Sequence, residues 1–225
     1  MKKIKLLLLF CLIYPTLAFA GDRQIIDIQT KYNIKYFIND YTYVINKKSQ
    51  IDNSFSILQN GCSIELNNNG KPILMKTKTK DFEFTFLHEI AHCVLGKKVF
   101  YEPIDWKINI SQEEKSKIED LITENESFYL KNKRTPLLKV IYHEIFADTF
   151  ATILYIKNNK SAAEDIKVLL NNRIKQNKNP YDSHLSVNAI KYLLNEQEQI
   201  KNLTIDNLKD KAIQITQEKL LQYIR

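Results

Sequence analysis

Among 225 residues with only four histidines, two stand four apart, with a glutamate directly after the first: His88-Glu89-Ile90-Ala91-His92. On a helix, residues i and i+4 lie on one face, so both imidazoles project the same way. Two neutral imidazoles so placed can bind a single zinc ion. Glu89 then stands beside the open coordination position, where it can take a proton from the attacking water. Phe84, Leu87, Ile90, Ala91 and Val94 around the motif fit a buried active-site helix.

A catalytic zinc site takes three protein ligands, so a third is expected further along. Residues 142–151 read Tyr-His-Glu-Ile-Phe-Ala-Asp-Thr-Phe-Ala. Glu144 and Asp148 share one face of an otherwise apolar stretch, and buried acids are costly unless paired or metal-bound. With Glu144 as ligand and Asp148 holding the second nitrogen of a zinc-bound histidine, both costs are relieved. His143 is the alternative ligand, but it faces about 100° away from Glu144. Core packing or support of the ligand sphere suits it better.

His88-Glu89-x-x-His92 followed by Glu144-x-x-x-Asp148 resembles the gluzincin metallopeptidases. The wording around the motifs is closest to the CAAX-prenyl-protease-like peptidases and to small uncharacterised metallopeptidases related to them. The resemblance covers about residues 81–194. It implies a zincin-like fold, one catalytic zinc ion, His88, His92 and Glu144 as ligands, and Asp148 as the group orienting a ligand histidine. It also implies an oxyanion-stabilising role for His184, in the segment Asp182-Ser183-His184-Leu185-Ser186. Tyr181 is a further donor candidate. Leu185 stands where that family carries proline, and the family's membrane helices have no counterpart, which leaves the substrate class open. The expected reaction is peptide-bond hydrolysis.

The elements that must position these residues are expected to be mainly helical. Helices are predicted over 82–95, with Asp81 as N-cap and Gly96 as stop, and over about 111–130, where Ser111 and Glu114 form a capping box. Others are predicted over 137–157 behind Pro136, then 161–175, 183–197 and 205–223. Ile34–Ile38 and Tyr41–Ile45 have strand character, though part of this N-terminal stretch could be helical. Cys62–Leu66 and Pro72–Lys76, joined by Asn67-Asn68-Asn69-Gly70, read as a hairpin. The fold class expected is therefore α+β: one zincin-like domain over 21–225, with a small N-terminal sheet beside the zinc-motif helix. Such a sheet edge could hold an extended peptide substrate.

Residues 1–20 read as a secretory signal. Lys2, Lys3 and Lys5 precede an apolar run, and Ala18-Phe19-Ala20 forms the cleavage site. The expected destination is the periplasm or the exterior of a bacterium, with no stable membrane span after cleavage. Losing three lysines lowers the net charge from +7 to +4, and the basic residues are scattered, so a nucleic-acid partner is not expected. Cys62 and Cys93 would remain, and in an oxidising compartment they could pair. Two other functions fit the same residues: a non-catalytic zinc-containing binding or effector protein, and a zinc amidohydrolase acting on a non-peptide amide.

Overall fold

A computed structural model describes residues 27–28, 30–38, 44–45, 55–58, 61–66, 79–96, 103–132, 138–178 and 184–224. The signal segment 1–20 and Tyr181 lie outside them. The chain divides into two compact units, Met1–Glu83 and Phe84–Arg225.

In the first unit, helix α1 spans Ile34–Phe37 and follows Asn33, whose φ of 50° is left-handed. Asparagine tolerates that conformation better than most residues. The strand expected at Ile34–Ile38 is therefore replaced by helix, with Tyr32 and Ile34 buried. Glu83 accepts hydrogen bonds from Tyr32 Oη at 2.5 Å and Lys31 Nζ at 2.6 Å. Three short strands follow: β1 (Val44–Ile45), β2 (Phe55–Leu58) and β3 (Gly61–Leu66). β3 runs antiparallel to β2, with Leu58 opposite Gly61, and parallel to β1. The segment Cys62–Leu66 thus pairs with the residues before it. Its expected partner, Pro72–Lys76, lies outside the described residues.

Helix α2 spans Thr79–Leu95 and ends at Gly96, whose φ of 79° supplies the left-handed residue that stops a helix. Asp81, expected as its N-cap, falls inside the helix instead. The second unit continues with α3 (Gln112–Asn132), α4 (Leu138–Asn158), α5 (Ala162–Gln176), α6 (Val187–Asn195), α7 (Gln197–Lys201), a 3₁₀ turn (Ile205–Asn207) and α8 (Leu208–Ile224). Among the described residues of Phe84–Arg225 there is no strand. The α+β expectation, with a sheet beside the zinc-motif helix, is thereby corrected: the fold is mainly helical. The prediction overweighted β-branched and aromatic runs, which report side-chain packing more than any backbone preference.

Helix α4 is the axis of the second unit. From Ile141 to Ile156 every residue except Glu144 is buried. A helix buried on nearly every face is a core helix, and its few polar residues must find partners there. It packs most extensively against α8 and also meets α3, α5, α6 and α7. Phe146 and Phe150, one turn apart, stack at 5.7 Å. Fully burying such side chains stabilises by about 1.5–3 kcal/mol each.

Polar devices fix the surroundings of this axis. Ser111 Oγ accepts from the Glu114 backbone N–H at 3.1 Å and so starts α3 as expected. Lys157 Nζ at the end of α4 donates to the carbonyls of Lys201, the last residue of α7, and of Leu203 just beyond it, and so caps that helix end. Gln217, fully buried on α8, accepts from the Lys107 backbone N–H and donates to the Asp105 carbonyl, both at 2.7 Å, and so anchors segment 103–110. No helix among the described residues is long and apolar enough to cross a membrane.

Candidate metal centre

Helices α2 and α4 bring the two sequence motifs together. His88 and His92 lie one turn apart on α2, with their Nε2 atoms 3.1 Å apart. Glu144 on α4 aims Oε2 between them, 3.2 Å from His88 Nε2 and 3.8 Å from His92 Nε2. His184, in the segment entering α6, places its own Nε2 3.1 Å from the same oxygen. His88, Glu144 and His184 form a group that could hold a metal ion, with ligand atoms all within 4.8 Å of one another. Glu144 Oε2 is buried, and no hydrogen bond of good geometry reaches it. Buried carboxylate oxygens are rarely left so.

Behind His88 sits Asp148, fully buried one turn along α4. Its Oδ1 accepts from His88 Nδ1 at 2.8 Å and from Arg173 Nη2 at 2.8 Å. Its Oδ2 accepts from Arg173 Nε at 2.7 Å and from Ser186 Oγ. When His88 is neutral and Nδ1 donates to Asp148, its lone pair lies on Nε2, the nitrogen that faces Glu144 Oε2. Behind His92 sits His143, also buried, with Nδ1 2.6 Å from His92 Nδ1 and Nε2 3.4 Å from the Gly96 carbonyl. His143 therefore points away from Glu144 and toward His92, as its angular offset on the helix requires.

The electrostatics describe a pocket built around positive charge. Burial opposes ionisation of Glu144, yet the His184 and His88 imidazoles hold its carboxyl far below the usual carboxylate range. Burial likewise opposes the charge on Asp148, and Arg173 and His88 override it. Burial alone would lower His88, but Asp148 and Glu144 outweigh it and raise the imidazole to about 10. His92 goes the other way, to about 3, because burial and then the charge on His88 both disfavour a second cation. Burial also lowers His143 to about 4. Glu89 is raised, first by burial, while the neighbouring charge of His88 pulls the other way. His184 is raised because Glu144 outweighs its desolvation.

All four histidines, Glu144 and Asp148, each singled out from the sequence, thus converge on one place. Cys93 is disulfide-bonded. The side chain of Cys62, its expected partner, is outside the described residues. Arg173 and Ser186 were not singled out. Arg173 sits in a last-turn basic position ordinary for a helix such as α5, so no local pattern marks it. Ser186 lies two residues from His184, and that proximity was the one signal available. No family model, curated protein or solved structure matches this chain.

Proposed function

We propose that this protein is an exported zinc metallopeptidase of gluzincin type. The observation that carries the proposal is the convergence of imidazole Nε2 atoms on Glu144 Oε2, a buried oxygen with no aligned hydrogen bond. Ligand atoms bound at about 2.0–2.1 Å in a tetrahedron stand about 3.3–3.4 Å from one another. The separations of 3.1, 3.2 and 3.8 Å among His88, His92 and Glu144 bracket that value. Two imidazoles and one carboxylate are also the donor set of hydrolytic zinc sites with an open position.

A zinc ion held by His88, His92 and Glu144 supplies Lewis acidity, polarising a carbonyl and making water nucleophilic near neutral pH. The chain's own residues do the rest. Asp148 accepts from His88 Nδ1 and keeps Nε2 free to ligate. Glu89, raised by burial, takes the proton of the attacking water on its carboxylate and returns it to the leaving amine nitrogen. His184, through Nε2–H, donates to the oxygen that gains charge as the carbonyl carbon becomes tetrahedral.

A second assignment shares His88 and Glu144 but uses His184 as the third ligand. It is favoured by the 3.1 Å approach of His184 to Glu144 Oε2. Zinc titration of His92→Ala and His184→Ala separates the two, since the true ligand is the one whose loss abolishes tight binding. The activity is tested by cleavage of a diverse peptide mixture by the zinc-loaded protein beside Glu89→Gln. Loss of about 10²–10⁴-fold in rate with zinc retained is expected. Equal cleavage by both forms would overturn the role of Glu89. One zinc per chain with no cleavage by either would favour a non-catalytic metal protein or an amidohydrolase of narrower substrate range.

A further inference from the structure

The second histidine of the motif is supported in an unusual way. His88 has a carboxylate behind it, whereas His92 has another imidazole. His92 Nδ1 and His143 Nδ1 are 2.6 Å apart, the ring centroids are 4.8 Å apart, and the planes are inclined by 20°. The centroid separation exceeds the nitrogen separation by about two ring radii, so both nitrogens lie close to the line joining the centroids. The rings therefore meet edge to edge and nearly coplanar. That is the arrangement of an in-plane N–H···N hydrogen bond, not of stacked faces.

Such a bond needs one donor and one acceptor. If His92 ligates through Nε2, that nitrogen is unprotonated, and the neutral ring carries its proton on Nδ1. His92 Nδ1–H is then the donor, and His143 Nδ1 must be the acceptor. His143 must in turn carry its proton on Nε2, the nitrogen that faces the Gly96 carbonyl at 3.4 Å. Gly96 is the residue that ends α2, four residues beyond His92, and its own N–H is bonded to the His92 carbonyl at 3.0 Å. Each protonation choice forces the next, and the relay ends on a backbone oxygen of the same helix that carries His92.

We propose that His143 is a positioning residue for the metal centre. It holds His92 in the Nδ1–H tautomer and fixes its ring plane, with the Gly96 carbonyl fixing the tautomer of His143 in turn. The proposal rests on the assignment of His92 as a ligand. An imidazole acceptor carries no net charge, unlike the carboxylate behind His88. The two motif histidines are therefore supported asymmetrically, and only one of them adds a negative charge behind the metal.

The test compares zinc affinity, by chelator competition, for the parent, His143→Asn and His143→Leu. Asparagine Oδ1 occupies the position of the histidine Nδ1 and can accept from His92, whereas leucine of similar size cannot. His143→Leu should bind zinc about 10–100-fold more weakly, and His143→Asn should restore most of that loss. A role in packing alone would give both variants the same affinity, and that result would overturn the proposal. A second readout needs no variant. Long-range ¹H–¹⁵N spectra of the zinc-loaded parent should show His143 as the neutral Nε2–H tautomer and His92 protonated at Nδ1. His143 protonated at Nδ1 would overturn the proposal even if the Leu variant failed to fold. If the parent bound no zinc, the metal-centre reading would fall and this one with it. Tight zinc binding left unchanged in His143→Leu would remove only the role of His143.

Discussion

Replacing Asp148 by asparagine exchanges one heavy atom and removes one charge, at a position with no solvent access. The carboxylate accepts four hydrogen bonds, from His88, twice from Arg173, and from Ser186. An asparagine amide offers one accepting oxygen, so its NH₂ must confront donors in either orientation. Facing Arg173 Nε and Ser186, it opposes a guanidinium N–H; facing His88 Nδ1 and Arg173 Nη2, it opposes two donors. Either way the Arg173 side chain, 13% exposed, keeps its charge and loses its counter-ion. Breaking a buried pair by removing one partner costs about 3–5 kcal/mol. At about 2–4 °C per kcal/mol for a chain of this size, the unfolding midpoint should fall by about 6–20 °C. Zinc affinity should fall about 10–100-fold, because His88 Nδ1 loses its anionic acceptor. Thermal unfolding followed by circular dichroism and chelator competition give the two numbers. Arg173→Met should destabilise similarly, and the double variant should cost less than the sum of the singles, since each single leaves one charge alone. A midpoint lowered by less than about 3 °C, with additive singles, would refute the reasoning that Asp148 and Arg173 compensate each other.

Further outcomes follow from other residues. Glu144→Ala should weaken zinc binding by more than the roughly 100-fold that loss of an outer partner costs; unchanged affinity in the same competition assay would remove Glu144 from the ligand set. Gly96→Ala meets no neighbouring atom within 4 Å, so its cost is the left-handed backbone alone, at φ 79°. A loss of about 1–2 kcal/mol in chemical denaturation is expected. Gln217→Leu should cost about 1–3 kcal/mol by leaving the Lys107 N–H and Asp105 carbonyl unpaired. Hydrogen exchange should show the loss as faster exchange of the Lys107 amide.

The candidate site was far more legible in the sequence than the fold. His88, Glu89 and His92 declare themselves because their spacing is set by one helical turn, and the order of residues fixes that spacing. Glu144 and Asp148 were visible for a related reason: two acids inside a run as apolar as α4 need a physical excuse. Arg173 carries no such mark. Its guanidinium reaches Asp148 only because α5 packs against α4, which is a tertiary fact. The N-terminal segment misled because Ile34-Lys35-Tyr36-Phe37 has strand-like composition, and composition says little about a four-residue helix entered from a left-handed asparagine. Helix ends fared better, with Gly96 and Ser111 stopping and starting helices where their chemistry says they should.

The separations in sequence at Asp148 carry a consequence for the order in which the protein matures. His88 lies 60 residues before Asp148, Arg173 lies 25 after it, and Ser186 lies 38 after it. During synthesis the first imidazoles emerge long before the guanidinium and hydroxyl that hold the aspartate behind them. A nascent chain ending near residue 170 would possess both sequence motifs but could not keep a bare carboxylate in an apolar interior. The His-Glu-x-x-His helix therefore gains its rigid orientation late, when α5 and the segment entering α6 close around Asp148. Capture of a metal ion by these residues would thereby be tied to completion of the fold, and a half-made chain would have little means of holding one.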